Sequence, residues 1–317
     1  MPAWREIQLQ NFTCWEKLAE FLQIDTAFIL KNPRFPLNLP RRLAEKIQKK
    51  CLDDPILKQF LPSIQETDSM PGYLADPVGD KLARKAGKLL HKYQGRALLL
   101  VSSSCAMHCR FCFRQNFSYE REVKGFEKEL ALIKEESSLT EIILSGGDPL
   151  SLSNAQLRGL IEELSSIPHV KRLRFHTRFP IGIPERIDEE FIKILKSARL
   201  QIYFLVHVNH PKELDADIVE ALKNIGRLGI PLMTQTVLLR DVNDSVAILK
   251  ELFETLVDSG ITPYSLNLLD RVRGAHHFEV TEEEGKRLLA EVAKTVSGYA
   301  MPRFVKEEAG KPSKTWL

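Results

Sequence analysis

Three of the chain's five cysteines fall within eight positions, as Cys105, Cys109 and Cys112. This C-x3-C-x2-C spacing puts three soft thiolates on one tight loop, close enough to share a metal centre. Three thiolates fit three irons of a cubane [4Fe-4S] cluster and leave the fourth iron open to a small molecule. Structural zinc is the alternative, with His108 completing a Cys3His set. Zinc motifs more often come as two separated pairs, and Cys14 and Cys51 supply no second pair. Three unrelated buried thiols at this density would be unusual. Other chemistry-bearing residues follow short apolar runs: Gly146, Gly147 and Asp148; His176, Thr177 and Arg178; His207, Asn209 and His210; Thr234, Gln235 and Thr236; Asp270 and Arg271.

Those runs set the architecture that must position the residues. From Arg96 onward, β-rich segments alternate with amphipathic ones in six units. The strands are expected at 97–103, 141–145, 171–176, 202–207, 232–238 and 264–269, and the helices at 126–136, 154–166, 189–198, 216–228, 245–259 and 281–295. Strand and helix in strict alternation with short connections give a parallel sheet through right-handed crossovers. Such a sheet works at the carboxyl ends of its strands, which is where the polar residues collect. Before Arg96 the pattern differs. Trp15, Leu18, Phe21, Leu22, Phe28 and Leu30 recur at helical spacings, broken by Pro33, Pro36 and Pro40, and further helices are expected at 43–51 and 78–90. In the last of these, Leu82 and Leu89 would face inward.

Composition agrees with an ordinary globular chain. The 317 residues are 44% hydrophobic and 27% charged, which excludes disorder, collagen and a small disulfide-stapled scaffold. A formal charge of +3 is too small to announce a nucleic-acid surface. An odd cysteine count argues for a reducing compartment. The start of the chain has no signal-peptide pattern, and no run approaches the ~20 apolar residues of a membrane span. A cytoplasmic location with neither membrane nor nucleic-acid partner is therefore expected. Length alone leaves one or two domains open at ~150 residues each. The six units favour one partial barrel at 93–300, a helical N-terminal extension at 1–92 and a C-terminal tail at 301–317.

The segment Cys105, Ala106, Met107, His108, Cys109, Arg110, Phe111, Cys112 resembles the cluster motif of radical S-adenosylmethionine (SAM) enzymes. A lone Gly-Gly-Asp is usually a turn. Here Ser145, Gly146, Gly147, Asp148 and Pro149 follow the second strand, where they resemble the superfamily's element for the methionine amino group. The resemblance implies an α/β fold of radical SAM type, a partial (β/α)6 TIM barrel. It narrows to the lysine 2,3-aminomutase family through residues 112–114, 144–148, 176–178, 207–211, 235–240 and 297–302. Within that family the chain is most similar to the branch that β-lysylates elongation factor P, on residues 11–19, on Pro40, Arg41 and Arg42, and on an end soon after Ser313, Lys314 and Thr315.

The resemblance implies an isomerase that converts L-lysine to (R)-β-lysine with a [4Fe-4S] cluster, SAM and pyridoxal 5′-phosphate. No side chain can remove the unactivated hydrogen on the β carbon, so cofactors must. Cys105, Cys109 and Cys112 match the cluster ligands, and Gly146, Gly147 and Asp148 the SAM element. Lys314 matches the lysine that anchors pyridoxal phosphate, an amine being needed to hold the aldehyde. A lysine near a chain end is ordinarily solvated, and Lys311 is its competitor for the role. Arg96 matches the position that binds the cofactor's phosphate, while Gln235 and His207 match cofactor contacts. Arg114 corresponds to the arginine that grips the substrate α-carboxylate, for which a planar bidentate donor is suited. Asp270 matches an acid for the lysine ε-ammonium, and Glu307 stands where free lysine mutases have a second aspartate. Two acids around one buried cation suit lysine, because an unpaired ammonium is costly to desolvate.

Partners implied are a flavodoxin- or ferredoxin-type reductant, elongation factor P and its lysyl-tRNA-synthetase-like ligase. A free lysine mutase for metabolism or osmolyte synthesis is the alternative within the class. A zinc-stabilised α/β binding protein is the alternative outside it.

Overall fold

The computed structural model describes residues 3–119 and 125–317. Ten strands form one sheet whose spatial order follows the chain. They are β1 (Arg84–Ala86), β2 (Leu89–Tyr93), β3 (Arg96–Ser102), β4 (Glu141–Gly146), β5 (Arg172–Thr177), β6 (Gln201–His207), β7 (Leu232–Val237), β8 (Thr262–Asn267), β9 (Arg303–Lys306) and β10 (Thr315–Trp316). β3 to β9 pair in parallel, and the antiparallel pairs lie at the two ends. The sheet does not close on itself, so this is a partial barrel.

Helices cover the outer face. The first four are short: α1 (Ala3–Gln8), α2 (Trp15–Leu22), α3 (Arg41–Glu45) and α4 (Pro55–Phe60). Then come α5 (Glu127–Glu135) after β3, α6 (Asn154–Ser165) after β4, α7 (Phe179–Gly182) and α8 (Glu189–Ser197) after β5, α9 (Ala216–Gly226) after β6, α10 (Val246–Asp258) after β7 and α11 (Glu282–Val292) after β8. The six expected strand–helix units are all present. Their starts are chemically marked: Ser153, Asp188, Asp215, Ser245 and Thr281 each cap a helix by accepting from its first-turn N–H groups. Among the described residues no helix is long and apolar enough to cross a membrane.

Strand alternation divides the two faces. On β5, Leu173, Phe175 and Thr177 are buried toward the helices, Phe175 packing on Phe191 of α8 and Phe204 of β6. Arg172, Arg174 and His176 point the other way, into the concave side. A closed barrel fills that side with branched apolar residues. Here polar and charged side chains line it, which leaves a cavity.

Two expected helices are corrected. Residues 78–90 form a loop and the β1–β2 hairpin, with Leu89 opposite Leu99 and Leu90 opposite Leu98. Both leucines are buried, whereas Leu82 is 90% exposed. Gly79 and Gly95 adopt positive φ, and the segment covers an edge of β3 that would otherwise present unpaired backbone. The helix expected at 43–51 is only α3, followed by turns, with Lys50 in the left-handed region. The last seventeen residues are also more than a tail. β9 extends the parallel sheet beside β8, and β10 folds back on β9, with Thr315 opposite Lys306.

Candidate active site

The cysteine loop leaves the end of β3 and is fastened from outside by the N-terminal extension. Asn11 Nδ2 donates to the Ala106 carbonyl at 2.7 Å and Asn38 Nδ2 to that of Cys105 at 3.3 Å. The His108 and Arg110 amides donate to the Asn38 and Gln59 carbonyls, each at 2.9 Å. Arg110, 1% exposed, pairs with Glu66 and donates to the Phe35 carbonyl at 2.7 Å. The loop's irregular backbone is thereby satisfied without secondary structure of its own.

Burial raises the pKa of all three thiols, that of Cys112 to about 11; Cys105 is raised further by Asp148 and the other two cysteines, and Cys112 by Cys109. Thiolates in such a place need the positive charge of a metal centre. A mononuclear zinc site needs four donors converging on one ion. Among the described residues no three His, Cys, Asp or Glu side chains are gathered that way. The His108 Nδ1 lies 2.9 Å from the Pro36 carbonyl and its ring stacks on Phe35. A cubane places one thiolate on each of three irons, a donor set the loop supplies.

Gly146 and Gly147 press β4 against the start of this loop. A Cβ at Gly147 would stand 2.4 Å from the Ser104 carbonyl oxygen, and one at Gly146, φ +123°, 2.4 Å from that of Ser102. The Gly147 and Asp148 amides donate to those same two oxygens, at 2.6 Å and 2.8 Å. Asp148 turns inward. Its carboxylate accepts from the Thr177 hydroxyl (2.7 Å) and from the amides of Arg178 (2.8 Å), Phe179 (3.1 Å) and Leu150 (2.9 Å). Burial outweighs these bonds and lifts its pKa to about 6.

A cavity of about 640 Å³ occupies the concave face, and Arg96, Arg114, His207, Gln235, Asp270, Glu307 and Lys314 all line it. Gly146, Gly147, Asp148 and the cysteines are not among its lining residues. Lys314, brought over by the β9–β10 turn, donates to Asn267 Oδ1 at 2.7 Å. Burial pulls its ammonium below the ordinary lysine value, while Asp270 and Glu307 oppose that shift. Burial lifts the Asp270 carboxyl to about 7, with Lys314 pulling the other way. Lys311 is exposed and does not line the cavity. His207 and Gln235 are register partners on β6 and β7. The Nε2 atoms of His207 and His176 are buried without a partner, and burial drops the His207 pKa to about 3. Two neutral rings with unused nitrogens on a cavity wall are open to a bound polar group. Arg96 stacks over the Tyr93 ring at 4.6 Å.

Several site residues escaped the sequence reading. Asp80, 1% exposed, receives Arg114 Nε at 2.7 Å and pairs with Lys92 at 2.7 Å. Arg114 Nη1 also donates to Ser145 Oγ at 3.3 Å. Lys92 reaches Glu307 at 3.3 Å, and the Tyr93 hydroxyl donates to the same carboxylate. A chain of contacts thus joins the two ends of the cavity. Asp80 lies in the loop expected to be helical, which hid it, while Lys92 and Tyr93 lie at the end of β2, just beyond that segment, and carried no motif. Asn267 stands three residues before Asp270 and carried no motif.

The fold and the cysteine loop define a radical SAM protein, and the Radical SAM superfamily profile matches residues 99–253. The L-lysine 2,3-aminomutase of Escherichia coli K12 is 41% identical over 310 residues, covering 95% of this chain and 90% of that protein. That of Haemophilus influenzae is 39% identical, covering 89% and 84% respectively. The Clostridium subterminale enzyme is 33% identical and longer, the match covering 83% of this chain and 64% of that one. The chain belongs to the lysine 2,3-aminomutase family of radical SAM enzymes, aminomutases of the isomerase class. Membership implies a [4Fe-4S] cluster, SAM and pyridoxal phosphate, and the donors described above suit them.

Proposed function

We propose that the protein moves the amino group of L-lysine from the α to the β carbon, giving (R)-β-lysine for attachment to elongation factor P. One observation carries the reading: a single cavity holds a buried amine, Lys314, with two acids, Asp270 and Glu307, and the guanidinium of Arg114. When bound, the cluster and SAM supply the hydrogen-abstracting radical that no side chain can, and pyridoxal phosphate carries the migrating nitrogen.

The chain's own residues bind and orient. Cys105, Cys109 and Cys112 would hold the cluster, and Gly146, Gly147 and Asp148 would form the element that receives SAM. Lys314 anchors pyridoxal phosphate; its lowered pKa enlarges the neutral, nucleophilic fraction of Nζ near neutral pH. Arg96 meets the phosphate, and Gln235 and His207 contact the bound cofactors from the wall. Arg114, steered through Nε by Asp80, offers its outer nitrogens to the α-carboxylate. Asp270 and Glu307 receive the ε-ammonium, Glu307 being held in place by Tyr93 and Lys92. The elongation factor P assignment rests on the motif resemblance at residues 11–19, 40–42 and 313–315.

Lys314→Ala should abolish the absorbance of covalently held pyridoxal phosphate, and Lys311→Ala should leave it intact. Retention in Lys314→Ala would move the anchor elsewhere. Anaerobic assay with lysine, SAM and pyridoxal phosphate should yield the R enantiomer of β-lysine. Elongation factor P from cells lacking this chain should lose its β-lysyl mass increment. An unchanged increment would leave the free-mutase reading.

A further inference from the structure

Arg178, on the turn after β5, is a buried guanidinium whose two outer nitrogens are both engaged, one of them on a sulfur, while its Nε has no hydrogen-bond partner. Its Nη1 donates to Cys109 Sγ at 2.8 Å. Its Nη2 donates to Gln59 Oε1 at 2.7 Å and to Glu213 Oε2 at 2.9 Å. The planar group lies over the Phe60 ring at 5.0 Å and the Phe111 ring at 5.5 Å. Gln59 is fixed in turn, donating to Glu213 Oε1 and accepting from Asn209 Nδ2, both at 3.0 Å. Below it, the Arg178 amide is held by Asp148. Arg178, Gln59, Asn209 and Glu213 are all buried. Glu213 neutralises this buried cation, and the other outer nitrogen is left as a charge-assisted donor aimed at one sulfur, a contact that is strongest when that sulfur is anionic.

We propose that Arg178 is a positioning residue that tunes the iron–sulfur cluster, its N–H group donating to the Cys109 thiolate and favouring the reduced state. The proposal rests on Cys109 being a cluster ligand, as read above. When the reductant passes one electron to the cluster, the added negative charge spreads onto the sulfur ligands. A fixed donor and positive charge at one sulfur stabilise that state more than the oxidised one, which raises the potential. The N-terminal extension contributes directly, because Gln59 of α4 locks the guanidinium. It also gives the Asp148 carboxylate a purpose, since that group sets the turn from which Arg178 reaches across to the cysteine loop.

The test is an EPR-monitored titration of anaerobically reconstituted full-length protein with dithionite and mediators. Arg178→Lys keeps a cation for Glu213 but loses the planar reach to sulfur. The double change Arg178→Gln with Glu213→Gln removes both charges together, while Glu213→Gln alone keeps the nitrogen–sulfur contact. At a fixed applied potential the first two should show about a tenfold lower ratio of reduced to oxidised cluster, a shift of ~59 mV to more negative potential for one electron. Iron and sulfide content should match wild type, and Glu213→Gln should shift less than either. Full iron with an unshifted potential overturns the proposal. Should the variants not fold, wild-type holoenzyme enriched in 15N-arginine decides it. Pulsed ENDOR of the reduced cluster should detect a coupled guanidinium nitrogen, and no coupling overturns the proposal. Wild-type protein that binds no iron and sulfide defeats the cluster reading itself, a separate outcome.

Discussion

Asp270 bears two opposed demands. In its proposed role as an acid for the lysine ε-ammonium it must ionise, yet burial raises its pKa from 3.8 to about 7. Lys314 and Lys92 oppose the rise, while Glu307 and Asp80 add to it. Between those two values the folded chain keeps a proton that the unfolded chain has released. The stability contributed by this group is therefore fully present below pH 3.8 and is lost as pH rises through about 7. Asp270→Asn should raise the Tm of ligand-free protein clearly at pH 8 and much less at pH 5. Equal effects at both values would remove the pH argument. The same variant should lose lysine turnover by tenfold or more while retaining pyridoxal phosphate. Undiminished turnover would take Asp270 out of the substrate site.

At the scale of elements, the site depends on how closely β4 approaches the cysteine loop. Ser102 and Ser104 carbonyls accept from the amides of Gly147 and Asp148, leaving no room for a side chain at Gly147. Gly147→Ala must push the loop outward and lengthen both bonds. A cost of ~1–3 kcal/mol is expected for such overpacking, read as a lower Tm, together with reduced iron after reconstitution. Wild-type Tm with full iron would mean that the loop yields freely. β9 and β10 do comparable work at the other end of the cavity. Arg303–Lys306 pairs beside β8 and puts Glu307 at the wall, and the return strand sets Lys314 against Asn267.

For the whole molecule, the unexpected point is that the N-terminal extension supplies much of the cysteine loop's backbone satisfaction. Asn11 and Asn38 bind its carbonyls, and Asn38 and Gln59 accept its amides. Asn11→Ala strands the acceptors Asn38 Oδ1 and the Ala106 oxygen, at a cost of ~1–3 kcal/mol. Hydrogen exchange at the His108 and Arg110 amides should then quicken together with exchange in residues 3–60. Protection retained at 108 and 110 while the extension loosens would make the extension an independent cover.

Much of this was legible in the residues. Local periodicity determined the six strand–helix units, because burial on one face of a strand or helix repeats every two or 3.6 residues whatever lies beyond it. The cysteine spacing likewise marks one loop as the candidate for metal chemistry, and the polar residues after each strand mark the carboxyl ends of the sheet as candidate positions for a site. The hairpin of β1 and β2 was not legible, since its reason is the open edge of β3. Nor were the partners that set the site: Asp80 for Arg114, Tyr93 for Glu307 across 214 positions, and Arg178 for Cys109 across 69. Each of these pairs depends on two segments meeting in space. That meeting is settled by the packing of the whole sheet and its extension, and only the tertiary structure decides it.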